Sequence, residues 1–247
     1  MPPDNEPQGG LSAPIVYHRA RAFFATFSCP IAPLAPLLPE HRLKPISLWP
    51  GKGLIVVAVF DYQETTIGPY LEVGIGIPCR YRRSTAVPLF PMLGERWLED
   101  VGYWVLSLPV TTEAAVQVGR AVWGYPKYLA DIDIQASDER VTCVVSEGGR
   151  AAIRVQIDRP GPSKQQRLPL RTYSVLGDEL HLTEMAIDGA GVIKKFGLSA
   201  SLALDPHPRN EGFQDLLGER TGPVEVRWFD EYRVKLDRAR VRYRIGA

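Results

Sequence analysis

Lys127 follows Tyr125-Pro126 and precedes Tyr128-Leu129, and it is the one charged side chain between Trp123 and Leu129. A lysine amine attacks a carbonyl carbon only as the free base, yet a lysine in water at neutral pH is almost wholly protonated. Withdrawal into a dry pocket can lower a lysine pKa by up to about 3–5 units, which makes Schiff-base chemistry accessible. A place just past a helix C-terminus opposes this by only about 0.3–1 kcal/mol. Trp123, Tyr125 and Tyr128 are bulky and uncharged and suit the wall of such a pocket, and Pro126 holds Tyr125 extended. Read in isolation, the same residues also describe a surface lysine whose stem lies over aromatic rings.

Glu72 is the second candidate. On an alternating segment from Tyr70 to Pro78 it shares a face with Tyr70, Gly74 and Gly76, and the glycines leave space over the backbone. A carboxylate there can move protons at a reacting carbonyl, and the Tyr70 hydroxyl can reach the same pocket; the alternative is an outward-facing strand carboxylate. Arg120, seven residues before Lys127, either orients a substrate carboxylate by a two-pronged contact or pairs with an acid across the core.

These side chains need elements to hold them. Thr111 or Thr112 can cap a helix whose first turn carries Glu113, and Ala114, Val118, Ala121 and Val122 recur at helical spacing. Gly124 and Pro126 end it. Shorter helical pieces are expected at 31–38, 91–99 and 210–217. Most of the remaining chain reads as strand: 22–27, 54–62, 70–78, 103–108, 130–135, 141–146, 152–157, 224–229 and 234–245 are rich in β-branched and aromatic residues and bounded by turn formers. In the last, Val241, Tyr243 and Ile245 alternate with Arg240, Arg242 and Arg244. Many closely spaced strands without a βαβ rhythm predict a mainly β protein, an antiparallel barrel or sandwich with a few peripheral helices.

The chain of 247 residues, 45% hydrophobic and 23% charged, fits a single domain spanning 1–247 with a flexible lead-in at 1–14. With 29 basic and 28 acidic side chains it has no electrostatic footprint for nucleic acid or an anionic membrane surface. Three separated cysteines fit neither a disulfide framework nor a metal pair, and a reduced, cytoplasmic setting is expected. The four histidines lack ligand spacing, so neither a metal nor another cofactor is expected. Gly74-x-Gly76 and Gly189-x-Gly191 lack a third glycine for nucleotide binding. Lys194-Lys195 has no Tyr-Pro context and reads as a solvated pair.

The segment Gly119-Arg120 … Tyr125-Pro126-Lys127 resembles the acetoacetate decarboxylase family. Tyr17-His18, Phe23-Phe24, Leu37-Leu38-Pro39-Glu40 and Gly68-Pro69-Tyr70-Leu71-Glu72 match the order of that family's other motifs. The resemblance implies the family's closed β-barrel or cone, Lys127 as imine-forming nucleophile, Glu72 as acid/base, Arg21 or Arg19 near a substrate carboxylate, a small 2-oxo or 3-oxo acid as substrate, and a homo-oligomer. It departs at three places. Tyr128 stands where decarboxylases carry a second lysine, Val57 falls near the site of a second glutamate, and the stretch 80–104 is longer. These departures favour aldol condensation and dehydration over decarboxylation; a non-catalytic barrel that binds a small molecule is the alternative of a different class.

Overall fold

A computed structural model describes residues 13–39, 42–81, 98–214 and 219–244. Its strands in chain order are β1 (Ile15–Pro30), β2 (Leu43–Pro45), β3 (Lys52–Thr65), β4 (Tyr70–Tyr81), β5 (Val101–Val110), β6 (Lys127–Leu129), β7 (Asp131–Ala136), β8 (Arg140–Glu147), β9 (Arg150–Asp158), β10 (Lys164–Leu176), β11 (Glu179–Lys195), β12 (Ala200–Leu204), β13 (Glu219–Thr221), β14 (Glu225–Leu236) and β15 (Arg240–Arg244). A single α-helix among the described residues, α1, runs from Glu113 to Trp123.

Strands β4, β3, β1, β14, β11, β10 and β5 pair in that order, and β5 returns to β4, which closes a seven-stranded barrel. The expected barrel is present, but it is not wholly antiparallel. β5 pairs with β10 in parallel through Tyr103 and Trp104, and further along the same strand Leu108 to Val110 pair in parallel with β6. The chain between β5 and β10 is long enough for a crossover, since it includes α1 and three strands of a second sheet, and a parallel pair requires such a connection.

That second sheet, in the order β13-β12-β9-β8-β7, covers the outside of the barrel. Its buried Val141, Cys143, Val145, Ile153, Val155, Ile157 and Leu202 share one core with Phe23, Phe27, Val57, Val59, Val73 and Ile75 of the barrel wall. The alternate residues Phe24, Ala58 and Phe60 belong to another apolar cluster, inside the barrel. Strands buried on both faces explain the near-continuous apolar run 54–60.

Thr112 is the helix cap and accepts from the Ala115 amide, and Gly124 ends α1 in a left-handed conformation at φ 64°. Of the shorter helical pieces expected, Ala32–Leu37 forms a 3₁₀ turn with Leu34 buried. The segment 210–217 begins in turns, and its last residues, like nearly all of 91–99, lie outside the described residues. The single strand expected at 234–245 is two, because β14 ends at Leu236 and β15 begins at Arg240. Lys195 is not solvated as expected: it pairs with the buried Glu225. Among the described residues no helix is long and apolar enough to cross a membrane.

Candidate active site

Glu72 lies near the start of β4, opposite Phe60 on β3 and Val110 on β5. Lys127 opens β6 and pairs with Leu108 of β5. Both side chains enter the barrel, where Nζ of Lys127 donates to Oε2 of Glu72 at 2.6 Å. Each residue is only 5% exposed, so the pair is held out of solvent. The other carboxylate oxygen accepts from the Tyr62 hydroxyl at 3.3 Å. The Lys127 nitrogen also lies 5.3 Å from the centre of the Tyr70 ring. An amine and a carboxylate so placed can pass a proton directly, which is what carbonyl addition by an amine requires.

Helix α1 and the loop after it place the lysine. Gly119 sits under its stem: a Cβ there would lie 2.4 Å from Cδ of Lys127, so no other residue type fits without a shift. Nε of Arg120 donates to the Lys127 carbonyl at 2.6 Å and fixes the backbone from the other side. The adjacent glycine and arginine therefore have separate positional duties toward one residue.

The pair borders a cavity of about 100 Å3. All seven barrel strands contribute to its wall, which includes Phe24, Phe60, Leu108, Leu170 and Ile187 as well as Tyr17, Tyr62, Tyr125 and Tyr232. The Tyr17 hydroxyl bonds to that of Tyr70 at 2.9 Å, and the Tyr125 hydroxyl to Thr172 at 2.6 Å. Burial pushes the Tyr17, Tyr62, Tyr70 and Tyr232 phenols upward, and the charge of Glu72 adds to it. Burial likewise pushes the Tyr125 phenol up to about 12, against a lowering by its bond to Thr172. The phenols are neutral at ordinary pH and offer O–H groups rather than charge.

The description acetoacetate decarboxylase belongs to the family model that matches residues 1–182, nearly three quarters of the 247-residue chain. The chain belongs to the acetoacetate decarboxylase family. No curated protein matches it in sequence. Among solved structures, acetoacetate decarboxylase from Legionella pneumophila is similar with a TM-score of 0.69 at 15% identity, over 100% of this chain and 94% of that one. An acetoacetate decarboxylase-like enzyme from Sphingomonas wittichii RW1 has a TM-score of 0.61 at 14% identity, over 95% and 94% of the two chains. MppR, an enduracididine biosynthesis enzyme solved with pyruvate, has 0.59 at 15%, over 96% and 93%.

Of the residues singled out in this acetoacetate decarboxylase family chain, the fold brings Lys127, Glu72 and Tyr125 to the cavity wall and Tyr70 close behind it. Four others lie elsewhere and need correction as substrate contacts. Tyr128 follows Lys127 on a strand, so the pleat turns it to the outer core, where the Arg209 guanidinium sits 4.4 Å from its ring centre. Trp123 is wholly buried, and its indole N–H is committed to the Asp237 carbonyl. Arg120 faces solvent apart from its bond to Lys127, because it lies one residue round the helix from Gly119. Arg21 pairs with Asp61 at 2.7 Å away from the cavity, since Ala22 and Phe24 have taken the inward face.

Tyr17, Tyr62, Thr172 and Tyr232 line the cavity without having been singled out for it. Tyr62 carried a readable signal: it is separated from Ala58 and Phe60 by even steps on β3. Tyr17 did not, because β1 shifts register between Tyr17 and Ala22, and that irregularity carries Tyr17 and Phe24 inward although they differ in parity.

Proposed function

We propose that the chain is a carbon–carbon lyase that works through a Schiff base. In this reading Lys127 attacks the carbonyl of a 2-oxo or 3-oxo acid and Glu72 carries the protons. The observation that supports it is the buried contact of Nζ with Oε2, at 2.6 Å, on the wall of a cavity that is otherwise apolar and phenolic. Glu72 takes a proton from the lysine, and the amine adds to the carbonyl carbon. The carbinolamine oxygen then leaves as water after receiving protons, one of them returned by Glu72. The resulting iminium accepts an electron pair from the adjoining carbon. If the bond broken is to a carboxylate, carbon dioxide leaves and an enamine remains. If an α-proton passes to Glu72 instead, the enamine adds to an aldehyde and the adduct loses water.

The second course is favoured by the lining of β3. Val57 faces the outer core, and its neighbours Val56 and Ala58 face the cavity, so Glu72 is the one carboxylate among the described lining residues. A second anion to press on a substrate carboxylate is missing from that set. MppR has been solved with pyruvate and with the condensation product of pyruvate and imidazole 4-carboxaldehyde, which supports the same course for a related fold.

Trapping tests the proposal. The protein is incubated with pyruvate, acetoacetate and a panel of oxo acids and ketones in the presence of cyanoborohydride, and peptides are analysed by mass spectrometry. A reduced adduct on Lys127 is expected, and no adduct there with any compound overturns the reading. Release of carbon dioxide from acetoacetate, against a conjugated chromophore from pyruvate plus an aldehyde, separates the two courses.

A further inference from the structure

The cavity wall is chemically lopsided. Glu72, Lys127 and Tyr62 form a polar corner, whereas Phe24, Phe60, Val105, Leu108, Leu170 and Ile187 present only carbon. Among the described lining residues, Lys127 is also the sole side chain with a full positive charge, and it is already joined to Glu72. A carboxylate pushed into this chamber would meet largely apolar walls, one engaged ammonium, and hydroxyls of which Tyr17, Tyr62, Tyr125 and Thr172 are already bonded to Tyr70, to Glu72 or to each other. A buried charge without its own partners is strongly disfavoured. An alkyl group would meet close-fitting carbon surface.

We infer that the substrate carries, on its carbonyl carbon, an apolar alkyl group of about four carbons that fills the chamber, with any carboxylate kept off its apolar walls. The inference rests on the Schiff-base reading and adds the substrate class to it: a ketone or 3-oxo acid with a butyl-sized tail. The size follows from the volume. An apolar cavity of about 150 Å3 holds benzene, with six heavy atoms, so the 100 Å3 here takes about four. In the imine-forming step the lysine nitrogen bonds to the carbonyl carbon, the oxygen departs as water, and the tail is left within the apolar walls. The tail is a spectator of the bond changes, and its burial contributes binding alone.

The test measures, on the full chain, the concentration of each methyl ketone that half-saturates cyanoborohydride trapping at Lys127. The series is acetone, 2-butanone, 2-pentanone and 2-hexanone, with pyruvate and acetoacetate alongside. Each added methylene buried contributes about 0.8 kcal/mol, roughly a fourfold gain, so 2-hexanone should half-saturate at a concentration at least tenfold below acetone. Equal half-saturation along the series, with adducts still formed, overturns the tail and leaves the Schiff base standing. Adducts from pyruvate and acetoacetate but none from 2-hexanone do the same. No adduct on Lys127 from any compound removes the Schiff base itself, and this inference with it.

Discussion

Tyr62 and Glu72 meet across the β3–β4 ladder, the phenol donating to the carboxylate oxygen that Lys127 leaves unoccupied. Each oxygen of Glu72 thus has one donor, and in the proposed reaction the oxygen facing Lys127 carries the proton while the other is anchored. Tyr62→Phe removes the anchor and keeps the ring. A hydrogen bond to a charged group is worth about 1.5–3 kcal/mol, so adduct formation should slow by about tenfold or more while half-saturation by the ketone changes little. Single-turnover trapping rates against ketone concentration check this; a change in half-saturation alone would assign Tyr62 to substrate binding instead.

Gly119→Ala puts a methyl group into the stem of Lys127. Overpacking of this kind costs about 1–3 kcal/mol. The protein should still fold, with a lowered melting temperature, and the lysine stem should be displaced from Glu72. Trapping at Lys127 is expected to fall by at least a hundredfold, far more than the stability loss explains. Thermal melting and the trapping rate, measured on one preparation, decide it.

The buried pair makes a third prediction. Removal of one member leaves the other without its counter-charge in a dry site, at a cost of about 3–5 kcal/mol. Lys127→Met alone should therefore destabilise the fold, and Lys127→Met combined with Glu72→Gln should recover most of the loss. Urea denaturation of the two singles and the double gives the coupling directly. A double variant no more stable than Lys127→Met would mean that the cost comes from packing and not from charge.

Alkaline pH supplies a fourth. The Tyr125 phenol is pushed from its ordinary 10.0 up to about 12 by burial. The folded chain therefore holds that proton more tightly than the unfolded one. The resulting stability is fully present below about pH 10 and is lost as pH rises through about 12, and the shift corresponds to about 3 kcal/mol. Denaturant midpoints should fall between pH 10 and 12, and Tyr125→Phe should make that slope shallower by one group's share, the raised Tyr17, Tyr62, Tyr70 and Tyr232 phenols supplying the rest.

Lys127 and Glu72 were legible from sequence through the family resemblance, and local signals account for their placement while leaving a surface lysine and an outward carboxylate open. The helix stop at Gly124, the stiff Tyr125-Pro126 link and the shared face of Glu72, Gly74 and Gly76 are all short-range patterns. The rest depended on distant partners. Strands β10 and β11 went unread: one contains Pro169, and the other is punctuated by Gly189 and Gly191 and carries charges at both ends. Both strands are held by their neighbours rather than by intrinsic preference. Proximity in sequence also misled, since Tyr128 adjoins the lysine yet points to the outer core, and Trp123 packs in the inner cluster without lining the cavity. The parallel seam between β5 and β10 depends on a crossover that no local pattern announces.

Residues 57 and 58 are chain neighbours that answer to different masters. Val57 helps weld the outer sheet to the barrel, whereas Ala58 faces the chamber. Positions 56, 58 and 60 of β3 can therefore be redrawn to suit a different guest while 55, 57 and 59 keep the two sheets joined. In a wall of this construction, chemical repertoire and mechanical integrity are written in alternate letters, and a change to one need not erase the other.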